Sequence, residues 1–293
     1  MLKGKPKFKT PVQPKTPSIK KTSGPRYQFP YSKNDYILLV GEGNFSFSHS
    51  IAKTIGTGKN IVATAYDSES VVEEKYTNDA VNHIKELKDL GGTVLFDIDA
   101  TKLEKRKILK NKRFTHIIFN FPHCLGIKDQ DRNILSNQQL LLNFFNSASK
   151  LLTTPASQTV SNKDESLDEP SDFEENGAVP DLNRFGEIHV SLKSGLPYDN
   201  WDIRMLSRKA GLRSKVTMPF NLKWFPLYEH RRTLGFKDGL SKGGNQEIAE
   251  KNPKLYAFVI KESLDPQHPQ NQDNDGSKKR NRDGHSEDSD SDD

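Results

Sequence analysis

Three residues near the middle of the chain could do chemistry together. In the string "FTHIIFNFPHC", Asn120, Pro122 and His123 follow an apolar run. An asparagine side chain offers an acceptor and donors, and a proline fixes the backbone carbonyl beside it. Such a pair can hold a flat N–H group in one orientation. His123 is the neighbouring group whose ordinary pKa suits removal of a proton near neutrality. A second constellation lies upstream. Gly41, Glu42, Gly43 and Asn44 follow the apolar run "ILLV". Glycines in that position permit a tight turn and close approach of a ligand to the backbone. Asp67 stands 24 residues past Gly43, a spacing that suits a carboxylate binding ribose hydroxyls. It suits a helix cap in "DSES" equally. Asp99, in "FDIDAT", is placed to contact an adenine edge or to cap the segment after it.

Two cofactors compete for the glycine turn. A dinucleotide wants a third glycine for close helix packing, and that place holds Ser46. S-adenosylmethionine carries no phosphate. It needs room for its methionine end, a carboxylate for its ribose and a wall for its adenine. Asn120-Phe121-Pro122 resembles the Asn-Pro-Pro-aromatic signature of methyltransferases that act on planar nitrogens. Phe121 can stack on a base, and a base in RNA would leave its stack to reach such a pocket. Methyl transfer is a displacement at carbon, so alignment supplies much of the rate. Cys124 is an alternative nucleophile, as in enzymes that methylate pyrimidine carbon, but a nitrogen target needs no covalent step. One cysteine and scattered histidines make no zinc constellation, so no metal is expected. Downstream, Lys193, Tyr228, Arg231 and Arg232 mix charge with aromatic rings, which suits phosphate contact plus base stacking. The other reading is core aromatics beside a solvated arginine pair.

The elements that must position these groups alternate. Strands are predicted at Tyr36–Val40, Asn60–Asp67, Thr93–Asp99, Phe114–His123 and Gly186–Lys193, with two more near Leu212–Pro219 and Lys254–Ile260. Helices are predicted at Ser46–Ile55, at Val71–Leu90 stopped by Gly91-Gly92, at Ser136–Leu152 with the serine as cap, and at Trp201–Ala210. Strands alternating with helices give an α/β fold, a doubly wound and mostly parallel sheet with ligands at the carboxyl ends of its strands.

The remaining length looks different. Of the 293 residues only 33% are hydrophobic and 28% are charged, so part of the chain should lie outside any core. Residues 1–33 carry many lysines and no acid and read as a disordered basic arm; 153–184 read as a disordered acidic insertion, and 264–293 as a disordered charged tail. The ordered domain is then 34–263. Lys278-Lys279-Arg280 reads as a nuclear import signal or as a solvated run. The net charge of +5 fits a polyanionic partner. A lone cysteine, no signal sequence and no apolar run of membrane length lead us to expect a soluble intracellular protein.

Taken together, "LLVGEGNFSFS", "DAT", "NFPH", "GEIHVSLK" and "YEHRRTLGF" resemble the fungal 25S ribosomal RNA (uridine-N3)-methyltransferase family, over about Tyr36 to Ile260. The resemblance implies a Rossmann-like class I methyltransferase fold, S-adenosyl-L-methionine as methyl donor, and methylation of a uridine N3 in large-subunit rRNA during ribosome biogenesis. It also implies a nuclear, nucleolar location, with rRNA or a pre-ribosomal particle as partner. A monomer is expected. Two departures stand out. Many S-adenosylmethionine loops carry an acid two positions before the first glycine, where this chain has Leu39, so Glu42 would serve part of that role. The acidic insertion exceeds what the fold requires. Two rivals remain at this point: an RNA-binding assembly factor that kept the fold and lost the chemistry, and a nicotinamide-dependent oxidoreductase.

Overall fold

Short apolar runs separated by amphipathic helices become the parallel part of one sheet. The computed structural model describes residues 27–124, 127–155, 184–231 and 245–264. The chain divides after Pro30 into two units, Met1–Pro30 and Tyr31–Asp293. Among the described residues, every strand and helix belongs to the second unit. Its elements are β1 (Ile37–Val40), α1 (Ser46–Ile55), β2 (Ile61–Thr64), α2 (Glu69–Asp89), β3 (Thr93–Leu95), α3 (Lys107–Lys110), β4 (His116–Asn120), α4 (Gln130–Ala148), β5 (Glu187–Leu192), α5 (Ile203–Lys209), β6 (Leu212–Pro219), α6 (Gln246–Ala249) and β7 (Lys254–Ile260).

The seven strands lie in the order β3-β2-β1-β4-β5-β7-β6. β1 to β5 pair in parallel, and β7 runs antiparallel to both β5 and β6. This is the Rossmann-like class I arrangement. The closing β6–β7 pair separates it from the dinucleotide order 3-2-1-4-5-6. All four residues of β1 are buried, as a strand covered on both faces requires. Val40 pairs with Phe119, so Gly41 and Asn120 leave the sheet side by side. A core of Phe114, Phe144, Phe145, Trp201 and Phe258 holds β4, α4, α5 and β7 together.

The local endings differ from the sequence expectation in two ways. Helix α4 starts at Gln130, not at Ser136, because Asp129 is the cap: its carboxylate accepts the Arg132 N–H at 2.8 Å. The first turn, "QDRN", is polar and hides the start from a periodicity reading. β3 and β4 are shorter than expected because the chain turns out of the sheet, through positive φ at Asp97 (55°) and Phe121 (49°).

The basic arm to residue 26, most of the acidic insertion, Arg232 and the charged tail with Lys278-Lys279-Arg280 lie outside the described residues. Among the described residues, no helix is long and apolar enough to cross a membrane.

Candidate active site

A cavity of about 510 Å³ opens at the carboxyl ends of β1, β2 and β4, within the size range of small-molecule sites. Gly41, Glu42, Gly43, Asn44, Asp67, Asp99, Asn120, Pro122, His123, Tyr228 and Arg231 all line it.

The glycine turn has a steric reason. Gly41 sits at φ +68°, and a Cβ there would lie 2.6 Å from the Phe119 ring. Gly43 faces Tyr76, whose hydroxyl would be 3.0 Å from an added Cβ. Glu42 accepts the Ser48 N–H at 3.1 Å. Burial pushes its pKa up to about 7, against the opposing effect of the Ser48 hydrogen bonds. Asn44 is spent on the protein itself. Its amide donates to Asp79 at 2.8 Å, and its carbonyl oxygen accepts from the Ser46 hydroxyl at 2.8 Å.

The serines and phenylalanines of "NFSFSHS" fasten a downstream segment over the glycine turn. Ser46 Oγ accepts the Glu229 N–H at 3.0 Å, and Ser50 Oγ accepts the Leu227 N–H at 3.3 Å. These positions are four apart and share a helix face. Phe47 packs on Phe225 and Tyr228, with ring centroids at 4.4 and 5.1 Å. The place where a dinucleotide fold keeps a third glycine therefore holds a docking hydroxyl.

On the other side stand two carboxylates. Asp67 is ion-paired to Lys75 at 2.7 Å. Asp99 accepts the Thr101 N–H at 2.8 Å and the Thr101 hydroxyl at 2.7 Å, so it is a cap as well as a lining residue. Burial works to raise the Asp99 pKa, but the Thr101 and Lys102 contacts prevail and hold it below the ordinary carboxylate value.

At the end of β4, both polar atoms of the Asn120 carboxamide are buried and have no hydrogen-bond partner. Such orphans are rare in folded proteins and call for an explanation. Phe121, at φ 49°, occupies a conformation that bulky residues seldom adopt. It lies edge-on to His230 and Phe220, at centroid distances of 5.1 and 5.3 Å. Pro122 is buried and His123 exposed. Burial lowers the His123 pKa; a hydrogen bond involving Cys124 opposes this, and the nearby Lys193 charge adds to it. The ring is thus neutral near pH 7 and able to accept a proton. Cys124 has its thiol pKa raised by burial, and its sulfur lies 3.4 Å from the Ser136 carbonyl, which does not suit a thiolate nucleophile.

The four residues expected to hold RNA are placed differently from one another. Tyr228 is buried, with its hydroxyl 3.1 Å from His230 Nδ1. Arg231 pairs with Asp79 at 3.0 Å and with Glu229. Lys193 is not part of the lining; its ammonium pairs with Glu247 at 3.1 Å and is 12% exposed. Arg232 is not among the described residues. The core-aromatic reading of this stretch therefore holds for Tyr228. The sequence reading passed over Tyr66, Tyr76 and Glu229 on the cavity wall. Tyr66 had a signal, since it stands directly before Asp67 and is 70% exposed; Tyr76 and Glu229 had none.

Comparison with known proteins gives the family. The family described as BMT5-like, rRNA (uridine-N3-)-methyltransferase BTM5-like, matches residues 38–232. The 25S rRNA (uridine(2634)-N(3))-methyltransferase of Saccharomyces cerevisiae is 32% identical over 255 residues, covering 78% of this chain and 74% of that one. Heavy metal-associated isoprenylated plant protein 41 of Arabidopsis thaliana is 35% identical over 207 residues, 70% of this chain but only 34% of that protein. Among solved structures, TrmN from Thermus thermophilus is similar over 78% of this chain and 45% of that chain, with a TM-score of 0.40 and 13% identity.

Proposed function

The chain belongs to the BMT5-like family of rRNA (uridine-N3)-methyltransferases, and from that premise and the site geometry we propose that it methylates N3 of a uridine in large-subunit rRNA. S-adenosyl-L-methionine, when bound, supplies an electrophilic methyl group on a sulfonium. The cavity suits it. The turn at Gly41–Gly43 admits the backbone-hugging methionine end, with Glu42 beside it. Asp67 and Asp99 stand on the side where ribose and adenine would lie.

The observation that carries the proposal is the orphaned carboxamide of Asn120. A uracil presents an imide N3–H flanked by two carbonyl oxygens. The Asn120 side chain can accept from the N–H and donate to a flanking oxygen before transfer, so its two unmet groups match the two groups of the base. Pro122 fixes the chain after it, and Phe121 offers a ring wall. The bound donor would supply its methyl group to N3 and leave as the neutral thioether, and His123 or solvent would take the N3 proton. Asn44, Tyr228 and Arg231 shape the site through the contacts described above, and the exposed Tyr66 is suited to cover a bound nucleoside. The same reading places the protein in the nucleus and nucleolus, acting on large-subunit rRNA within a pre-ribosomal particle. It treats 34–263 as one catalytic domain.

The test is mass spectrometry of nucleosides from large-subunit rRNA of cells lacking the protein. We expect 3-methyluridine to fall, to return with the wild-type chain, and to stay low with Asn120→Ala. Restoration by Asn120→Ala would remove Asn120 from the mechanism. A profile unchanged by loss of the protein would favour the RNA-binding assembly factor instead.

A further inference from the structure

A second cluster of chemistry-bearing side chains lies at the opposite end of the same strands. His116 opens β4, and Glu187 and His189 lie on β5. The register pairs His116 with Glu187 and Ile118 with His189. One ligand atom from each of the three residues lies within 4.8 Å of the other two. Both imidazoles are buried, His116 at 3% and His189 at 1% exposure. We propose that His116, Glu187 and His189 form a structural site for one divalent transition-metal ion, zinc by ligand preference, at the amino ends of β4 and β5.

Three observations support this. First, the donors suit zinc: two imidazoles and a carboxylate are a recurrent three-ligand set whose fourth position is taken by water. Second, the ligand atoms are nearly in place. His189 Nε2 is 3.1 Å from Glu187 Oε2, close to the roughly 3.3 Å between neighbouring ligands of a tetrahedral zinc ion. Third, the outer nitrogens already have the partners that metal-bound histidines use. His189 Nδ1 is 3.1 Å from the Tyr31 hydroxyl. His116 Nδ1 is 3.2 Å from Thr115 Oγ1 and 3.6 Å from Asp35 Oδ1. A hydroxyl or carboxylate on Nδ1 fixes the tautomer that turns Nε2 toward a metal.

The charges nearby do not prevent binding. Lys215 holds the other oxygen of Glu187 at 2.6 Å, which leaves Oε2 as a single-oxygen ligand. Arg184 pairs with Asp35. No sequence spacing announces the site, because its ligands lie 71 positions apart across two strands. The ion would tie β4 to β5 and, through Tyr31 and Asp35, hold the segment that leads into β1. His116 is four residues from Asn120, or about 13 Å along the strand. The metal would therefore stabilise the strand that carries the reactive end without touching the substrate.

The experiment is elemental analysis of the untagged full chain, purified without chelator. We expect about one zinc per chain, a melting temperature that falls on chelation and recovers with added Zn(II), and loss of more than about nine-tenths of the metal in His189→Gln. Glu187→Gln, at a partly exposed side chain, is the variant least prone to misfold and should also lose most of the metal while still binding S-adenosylmethionine. Cobalt(II) in place of zinc should give the visible absorption of a tetrahedral site in the wild type only. A wild-type chain that carries no stoichiometric metal, and whose melting temperature ignores added Zn(II), would reduce the cluster to a hydrogen-bonded network and overturn the proposal. Stoichiometric metal that survives both substitutions would place the ion elsewhere and overturn it equally.

Discussion

Glu42 is a single side chain through which folding, and under the proposed function donor binding, would depend on pH. Its folded pKa, about 7, lies above the ordinary 4.5, with burial as the main cause. Below pH 4.5 both states hold the proton and nothing is lost. As pH rises from 4.5 to 7 the unfolded chain releases the proton while the folded chain keeps it, so stability falls across that window and levels off above it. The loss is on the order of 3 kcal/mol. Urea unfolding from pH 4 to pH 8 should show it, and Glu42→Gln should flatten that part of the curve. A ligand with a cationic sulfonium and ammonium favours the ionised form. Donor binding should therefore tighten as pH rises through 7 in the wild type, with release of a proton visible by calorimetry in two buffers. Parallel pH curves for wild type and Glu42→Gln would remove Glu42 from the binding role. At this scale the sequence showed which residue types cluster, but not what they touch. Asn44 and Arg231 both converge on Asp79, a helix α2 residue that no motif marks, and buried pairings of that kind have no sequence period.

Elements carry the site through their ends, and the ends were the hardest part to read. The order and type of the strands and of the major helices were legible because β1 and β2 are short and largely apolar, β5 alternates, and α1 and α4 keep an apolar face. What periodicity misses is the place where the chain leaves an element. Phe45 and Phe121 both adopt left-handed backbone, φ 60° and 49°, at the two turns that border the cavity. Neither is a residue type from which such a turn is expected. Gly41 is the turn that was legible. Gly41→Ala would combine the left-handed penalty, roughly 1–2 kcal/mol, with a Cβ held 2.6 Å from Phe119. We expect a destabilisation above about 2 kcal/mol in urea unfolding and a weaker donor affinity. Ser46→Ala is the complementary change. It removes the hydroxyl that holds Glu229 while leaving the glycine turn intact, and should cost about 0.5–1.5 kcal/mol, the net worth of a part-buried hydrogen bond. Equal effects of both changes on donor affinity would mean that the 227–231 segment matters as much as the turn itself.

Across the whole molecule, charge is unevenly used. The arginine and lysine expected to grip RNA beside the cavity, Arg231 and Lys193, are mostly taken by Asp79, Glu229 and Glu247. Cations bound in such pairs have little left for phosphate. The first 26 residues, by contrast, hold eight Lys and Arg and no acid. If RNA affinity comes chiefly from that arm, binding and chemistry are separable. A chain beginning at residue 27 should bind S-adenosylmethionine like the full chain and methylate a short uridine-containing RNA slowly at low concentration, with KM raised and kcat little changed. Its RNA affinity should also depend less on salt. Each phosphate that the shortened chain no longer neutralises reduces the slope of log K against log salt by about 0.7 for a single strand. Several such phosphates together change the slope by several units. The check is fluorescence anisotropy with one RNA across a salt series, for full and shortened chains. Identical slopes would mean that the arm does not touch phosphate, and the grip would then have to come from cationic groups on the folded domain.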